Sequence, residues 1–201
     1  EVELDAASTS SIEARSIAAA ISGAIGGLGF AGAGAGASST NRIGNVVHAS
    51  IDGGSTIAAG MGVRVSAADA PTIRSDVGSG ALSFAVAGAS VGVSVAENTI
   101  GNDVQAAIGD ADVTSADGGI TIEAASDALA EALSVATSVA VALSPVGAAV
   151  AGGMAKSRIT TAVEACADSG AALAAGQDIT VHALSTHAAK ADTYGIGGSV
   201  L

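Results

Sequence analysis

The chain has 201 residues, 19 of them acidic and 7 basic, for a formal charge of −12, with two Phe, one Tyr and no Trp among 49% hydrophobic residues. That balance repels phosphate backbones and offers no ring on which bases could stack, which argues against a nucleic-acid partner. So apolar a chain has ample surface to bury, so disorder is excluded, and an interior of Ala, Gly, Val, Ile and Ser suits closely stacked, repetitive backbone.

In chain order, one pattern of alternating apolar and polar residues followed by small ones recurs four times. It opens at Val2 (Val-Glu-Leu-Asp-Ala-Ala-Ser), Val63, Ile120 and Ile179, starts that lie 61, 57 and 59 residues apart. A second landmark, Asn41 to Ala49, returns as Asn98 to Ala106 and more loosely as Ser157 to Ala165. Turns rich in Asp and Gly come after it: Asp52-Gly53-Gly54, Asp117-Gly118-Gly119 and Gly176-Gln177-Asp178. Two landmarks that keep step define repeat units at 1–62, 63–119 and 120–178, with a partial fourth at 179–201. Each unit opens with a period-2 strand, such as Ile120, Ile122 and Ala124 against Thr121 and Glu123. A long uncharged stretch comes next, in which Leu82, Phe84 and Val86 share a face, as do Val91, Val93 and Val95, and then Val139, Val141 and Leu143. These aliphatic runs are expected to line the interior. Ala87-Gly88-Ala89, and Ser144-Pro145 with Gly147 one unit on, are expected to form a corner, where Pro145 forfeits no ladder hydrogen bond. The Gly-Ala run from Gly32 to Ala37 leaves the strand register of unit one open.

The fold expected is all-β, a parallel β-solenoid (β-helix) of repeats about 58 residues long, each making two or three coils of about 20 residues. Ile17 to Asn41, Val77 to Ala96 and Ala132 to Ala155 are long and uncharged enough to cross a membrane as helices. Their period of 2, and glycines that cost a helix about 1 kcal/mol each relative to Ala, argue against it. The chain does not begin with Met and carries no signal segment, so both ends are expected to be cuts through a longer polypeptide.

No residue is expected to be catalytic, to bind a cofactor or to hold a metal. Gly27-Leu28-Gly29-Phe30-Ala31-Gly32 fits the dinucleotide fingerprint, but no βαβ alternation surrounds it. Gly88-Ala89-Ser90-Val91-Gly92 fits the nucleophile elbow, with His182 and His187 downstream; aligning Ser90 with Gly147 makes it a corner serine instead. His182 falls in the column of Asp5, Ser66 and Glu123, and His48 in that of Gln105 and Glu164, both outward polar positions. His187 has no ligand at metal spacing beside it. Cys166, the one cysteine, aligns with Ser50 and Ala107 as a small packing residue. Asp110, Asp112 and Asp117, with Asp52 and Asp168 in corresponding turns, offer the oxygen ligands that calcium takes, but the Gly-Gly-x-Gly-x-Asp nonapeptide of calcium-loaded β-rolls is absent and solvated turn carboxylates are expected. Thr121 and Thr180 recur, but Glu3 and Arg64 break the flat threonine row that ice binding needs. Arg15, Arg42, Arg64, Arg74 and Arg158 are scattered, which disfavours a carbohydrate-binding β-helix module, and no charged cluster interrupts the repeat as a lyase would need.

Gly88 to Ile108, with its continuation Ala111 to Ala124, resembles the repeats of the large filamentous-haemagglutinin and leukotoxin-like bacterial surface adhesins. The resemblance spans the whole chain. It implies a non-catalytic β-helical stalk, extracellular or at the cell surface, whose partners are neighbouring repeats, copies of itself, or host and cell surfaces.

Overall fold

A computed structural model describes residues 1–26, 29–144 and 146–200; Pro145 and the Gly27-Leu28 part of the fingerprint motif lie outside them. Thirteen strands and no helix make up the described residues. Unit one supplies β1 (Val2–Ser8), β2 (Ser11–Gly23), β3 (Phe30–Ile43), β4 (Val46–Ile51) and β5 (Ser55–Ala59). Unit two supplies β6 (Val63–Asp69), β7 (Thr72–Ala85), β8 (Ala87–Ile108) and β9 (Ala111–Ser115). Then come β10 (Ile120–Ala142), β11 (Gly147–Ala167) and β12 (Ala172–Ala175), and last β13 (Ile179–Val200). Long strands form because alternation is sustained and few residues break it. Pro71 is one breaker: it has no N–H to donate, and β6 and β7 part there, whereas β10 runs on through the equivalent Ala128.

The strands form three sheets in which every pairing is parallel. The first joins β1 and β2 to β6 and β7, these to β10, and β10 to β13. The second joins β3 and β4 to β8 and β8 to β11, and the third runs β5-β9-β12. Val2, Val63, Ile120 and Ile179 stand in one row, as do Asn41, Asn98 and Ser157. Partners therefore sit a whole repeat apart, and no pairing joins two strands of the same unit among the described residues. The expectation of two or three coils per unit is not met; each of the first three units passes through the three sheets once, in order. Units differ mainly between the first and second sheets: unit one spans Gly23 to Phe30 where unit two spans Phe84 to Ala87. The Gly-Ala run is regular strand, with Ala33, Ala35 and Ala37 inward and Gly34 and Gly36 beside Val91 and Val93.

The main core lies where all three sheets meet, built on Val63, Val65, Ile120 and Ile122 of the first, Val104 and Ile108 of the second and Val113 of the third. Beyond it the first and second sheets continue face to face as an arm, and their interior shrinks step by step. Ile43, Ile73 and Ile100 pack with Ala128 and Ala130; next come Ala37, Val77, Ala96 and Ala132; then Ala33, Ala35 and Ala81. The chain turns back at Val86, between β7 and β8, so Ala87 to Ala89 are strand and not the corner.

Leu82, Phe84, Val91, Val93, Val139 and Leu143 do not line the interior; they face outward, with Phe84 48% and Val91 45% exposed. Val86, Val95 and Val141 are only half-buried on that same outer side. Alternation separates two faces but does not say which is inside, and here the gap between sheets admits only the smaller set. Ile122→Ala in the main core is expected to cost about 2–5 kcal/mol of unfolding free energy. Val91→Thr is expected to cost no more than about 0.5 kcal/mol, as a surface change. Urea unfolding of both variants checks the assignment; equal losses would place Val91 inside.

Candidate functional site

The arm holds the residues that the two enzyme-like motifs picked out. Ser90 sits on β8 with its side chain pointing inward, 1% exposed, and its hydroxyl is 2.7 Å from that of Ser138 on β10. Ser94 and Ser134 repeat the contact at 2.7 Å, and Asn98 Nδ2 donates to the Glu131 carbonyl at 2.6 Å. Laterally Ser90 pairs with Ala33 and Ala149; Gly147 pairs with Gly88, so the Ser90–Gly147 alignment is two residues out of register. No histidine reaches it. His187 lies on β13 beside Ala128, and Ser138 is ten residues further along β10, about 33 Å at strand rise. Ser90 is a packing serine, and no strained turn to a helix exposes it.

The space around it explains the composition. A Cβ on Gly92 would collide with the backbone oxygen of Thr137, and one on Gly153 with the Thr193 hydroxyl and with Ser134. The facing strands therefore approach closely at these two positions, and from there to the turn the buried side chains are those of Ala and Ser. The hydroxyls of Ser75, Ser79 and Ser83 are buried without a hydrogen-bond partner among the described residues. At the neck between arm and main core, Asp69 is buried and accepts hydrogen bonds from Asn45 Nδ2 at 2.9 Å and from Asn102 Nδ2. Asn45 also donates to the hydroxyls of Ser8 and Ser10 at 3.2 and 3.1 Å. A buried carboxylate so supplied with donors is a structural polar cluster.

The remaining candidates are dispersed. Gly29 precedes β3 and Phe30 to Gly32 lie within it, so no helix N-terminus adjoins the fingerprint motif to receive a pyrophosphate. His182 stands in the row of Asp5, Ser66 and Glu123, and His48 in that of Gln105 and Glu164. His48 is 3.7 Å from Asp103 and exposed. His187 occupies the inward alternation of β13, 2.7 Å from the Ser185 hydroxyl, and no carboxylate orients the ring among the described residues. Arg64 and Arg74 are tied to Glu123 and Glu131 across neighbouring strands at 3.1 and 3.0 Å, exposed pairs worth about 0–1 kcal/mol each. Cys166 is half-buried beside Ala107. Burial, then the carboxylates of Asp168 and Glu164, push its thiol pKa up.

The acidic turns do not form one series. Asp52-Gly53-Gly54 does not correspond to Asp117-Gly118-Gly119. The short strands β5, β9 and β12, missed in the sequence, divide each unit's end into two corners. Asp52, Asp110 and Asp168 belong to the first, where the amide of Gly54 donates to the Asp110 carbonyl and Asp110 takes φ 40°. Asp117 and Asp178 belong to the second, beside Gly60 and Gly62, while Asp112 points away on β9. The five carboxylates of the calcium reading are split among three places. No group of three or more potential ligands gathers among the described residues.

What the arm does gather is on its outside. Between Asp76 and Glu97, Arg15 and Arg42, and Glu131 and Lys156 there is no charged residue. Outward positions there are Ile17, Ile21, Phe30, Val146, Val150 and Met154, besides those named above, with Ile21 80% exposed. No described helix is long and apolar enough to cross a membrane, which leaves strands unaddressed. Compared with known protein families, curated proteins and solved structures, the chain matches none.

Gly92→Ala is expected to destabilise by about 1–3 kcal/mol, since backbone must move to admit the methyl group. Gly34→Ala, with open space around it, should be neutral, and thermal melts of the two variants compare them. Because its pKa is raised, Cys166 holds less thiolate at pH 8 than an unperturbed thiol. Its alkylation by iodoacetamide should be slower than that of glutathione and should climb at higher pH; a rate equal to glutathione's would contradict the assigned environment.

Proposed function

We propose that this chain is a non-catalytic structural segment of a parallel β-solenoid, serving as the stalk of a secreted or cell-surface fibre or adhesin. The observation that carries the reading is the pairing of every sheet at a separation of one whole unit. Such a ladder can be extended by any further unit without a change of geometry. No single unit closes a core alone, because Val65, Ile122 and Val104 are covered by neighbours on both sides. β13 illustrates the need: among the described residues it is paired only with β10, and its inward Ile179 and Val181 remain 46% exposed. A stacked repeat, or a copy of the chain, is the partner that would cover them. The resemblance to filamentous adhesins points to the outside of a cell.

The reading has a measurable consequence. If one unit of about 58 residues advances the fibre by one strand spacing of about 4.8 Å, the stalk carries about 1 kDa per Å of length. A solenoid with a coil of about 20 residues would carry about a third of that. Scanning transmission electron microscopy of the intact assembly gives mass per length directly. Filaments near the higher value support the proposal; discrete globular particles, or filaments near the lower value, overturn it.

A further inference from the structure

We infer that the outer face of the arm's first sheet is a lateral self-association surface whose occupant is the same face of a second copy of this chain. The face is formed by β2, β7, β10 and β13 beyond Asp76. It presents Ile17, Ile21, Leu82, Phe84, Val139 and Ile196 outward, all exposed. From the fractional exposures, its large apolar side chains leave on the order of 1,000 Å² open to solvent, beyond the few hundred Å² that monomers tolerate and near the ~800 Å² per partner of a standard interface. The relief suits tight packing against itself. Gly78 lies between Ile17 and Val135, and Phe84 between Gly23 and Val141, so bulky residues adjoin gaps. No charge interrupts the face, so a two-fold related copy meets no like-charge repulsion there.

A bilayer is the competing occupant, since the uncharged arm runs about 33 Å from Asp76 to Val86, close to the thickness of a hydrocarbon core. The composition decides against it: the chain has no Trp and a single Tyr, hence no interfacial belt. A second copy imposes no such requirement. The inference does not depend on the stalk reading, because the face is apolar whether or not further units stack.

Sedimentation velocity of the 201-residue chain across the micromolar range tests it, with the Leu82→Lys/Phe84→Lys double variant and Thr121→Lys at the charged end of the same sheet. All substituted side chains point outward, and far-UV circular dichroism verifies that the fold persists. The wild type should associate, the double variant should weaken association by about a hundredfold or more, and Thr121→Lys should leave it unchanged. A monomeric wild type overturns the inference. So does a double variant that associates as before, which would place the contact at strand edges, or an equal loss from Thr121→Lys, which would make net charge the cause. Flotation of a monomeric wild type with phosphatidylcholine vesicles would assign the face to lipid and overturn it too.

Discussion

When two parallel strands pair in register, every side chain is held about 4.8 Å from its counterpart in the next unit, and each position becomes a column. Here each column is sampled by a different unit, so a residue must suit the same place that its equivalents occupy. Where the column is interior, the choice is narrow: Val2, Val63, Ile120 and Ile179 share one. Outward columns accept opposite charges, as Arg64 beside Glu123 and Lys156 beside Glu97. Turn lengths are freer, because the ladder is indifferent to how many residues bridge the sheets. That is why unit one can hold more residues between its first and second sheets without disturbing the units stacked on it.

The second constraint is the narrowing gap between the first two sheets. At the main core three sheets leave room for Ile and Val throughout; between two sheets alone, Ile43, Ile73 and Ile100 still pack against Ala, then Val77 lies among alanines, and nearer the turn only Ser, Ala and Gly fit. Larger hydrophobic residues in those strands have no interior to enter, so alternation places them outside. The arm consequently inverts the usual arrangement, with small and hydroxylated residues within and branched aliphatic ones without. Its cohesion comes from backbone ladders and close packing more than from buried aliphatic area, since Ala and Ser bury little surface per residue.

This inversion marks the limit of what the sequence could reveal. Period-2 alternation announced strands, and the recurrence of Val63-Arg64-Val65 as Ile120-Thr121-Ile122 announced which segments lie side by side. Both are local or lateral properties of the ladder. The identity of the inner face depends instead on the distance between sheets, which no single strand encodes. Gly92, paired with Ala35, and Gly153, paired with Ser94, carried a faint sign, since small residues share a column where a facing backbone comes close. The third sheet escaped notice because its strands are four or five residues long, and the Asp-Gly corners flanking them look alike. Ser90 and its motif misled in register, by two residues, which preserves the face but changes the neighbour, and in place, since Ser90 lies within β8 and not at a corner.

Charge obeys the same division. The acidic excess gathers on the opening strands and at the two corners, on the outside of the wide end, while the arm carries none between Asp76 and Glu97. Repulsion of a chain with a charge of −12 therefore acts at one end of the cross-section, and at physiological ionic strength it is screened within about 8 Å. The arm extends about four times that distance from the last charged column to its turn. Copies that approach arm to arm can bring apolar faces together while their acidic ends stay apart, so the polarity that keeps the wide end hydrated need not oppose contact at the arm. The taper of the interior thus sets two properties at once: it expels the aliphatic side chains to the surface, and it does so at the place where electrostatic repulsion is weakest.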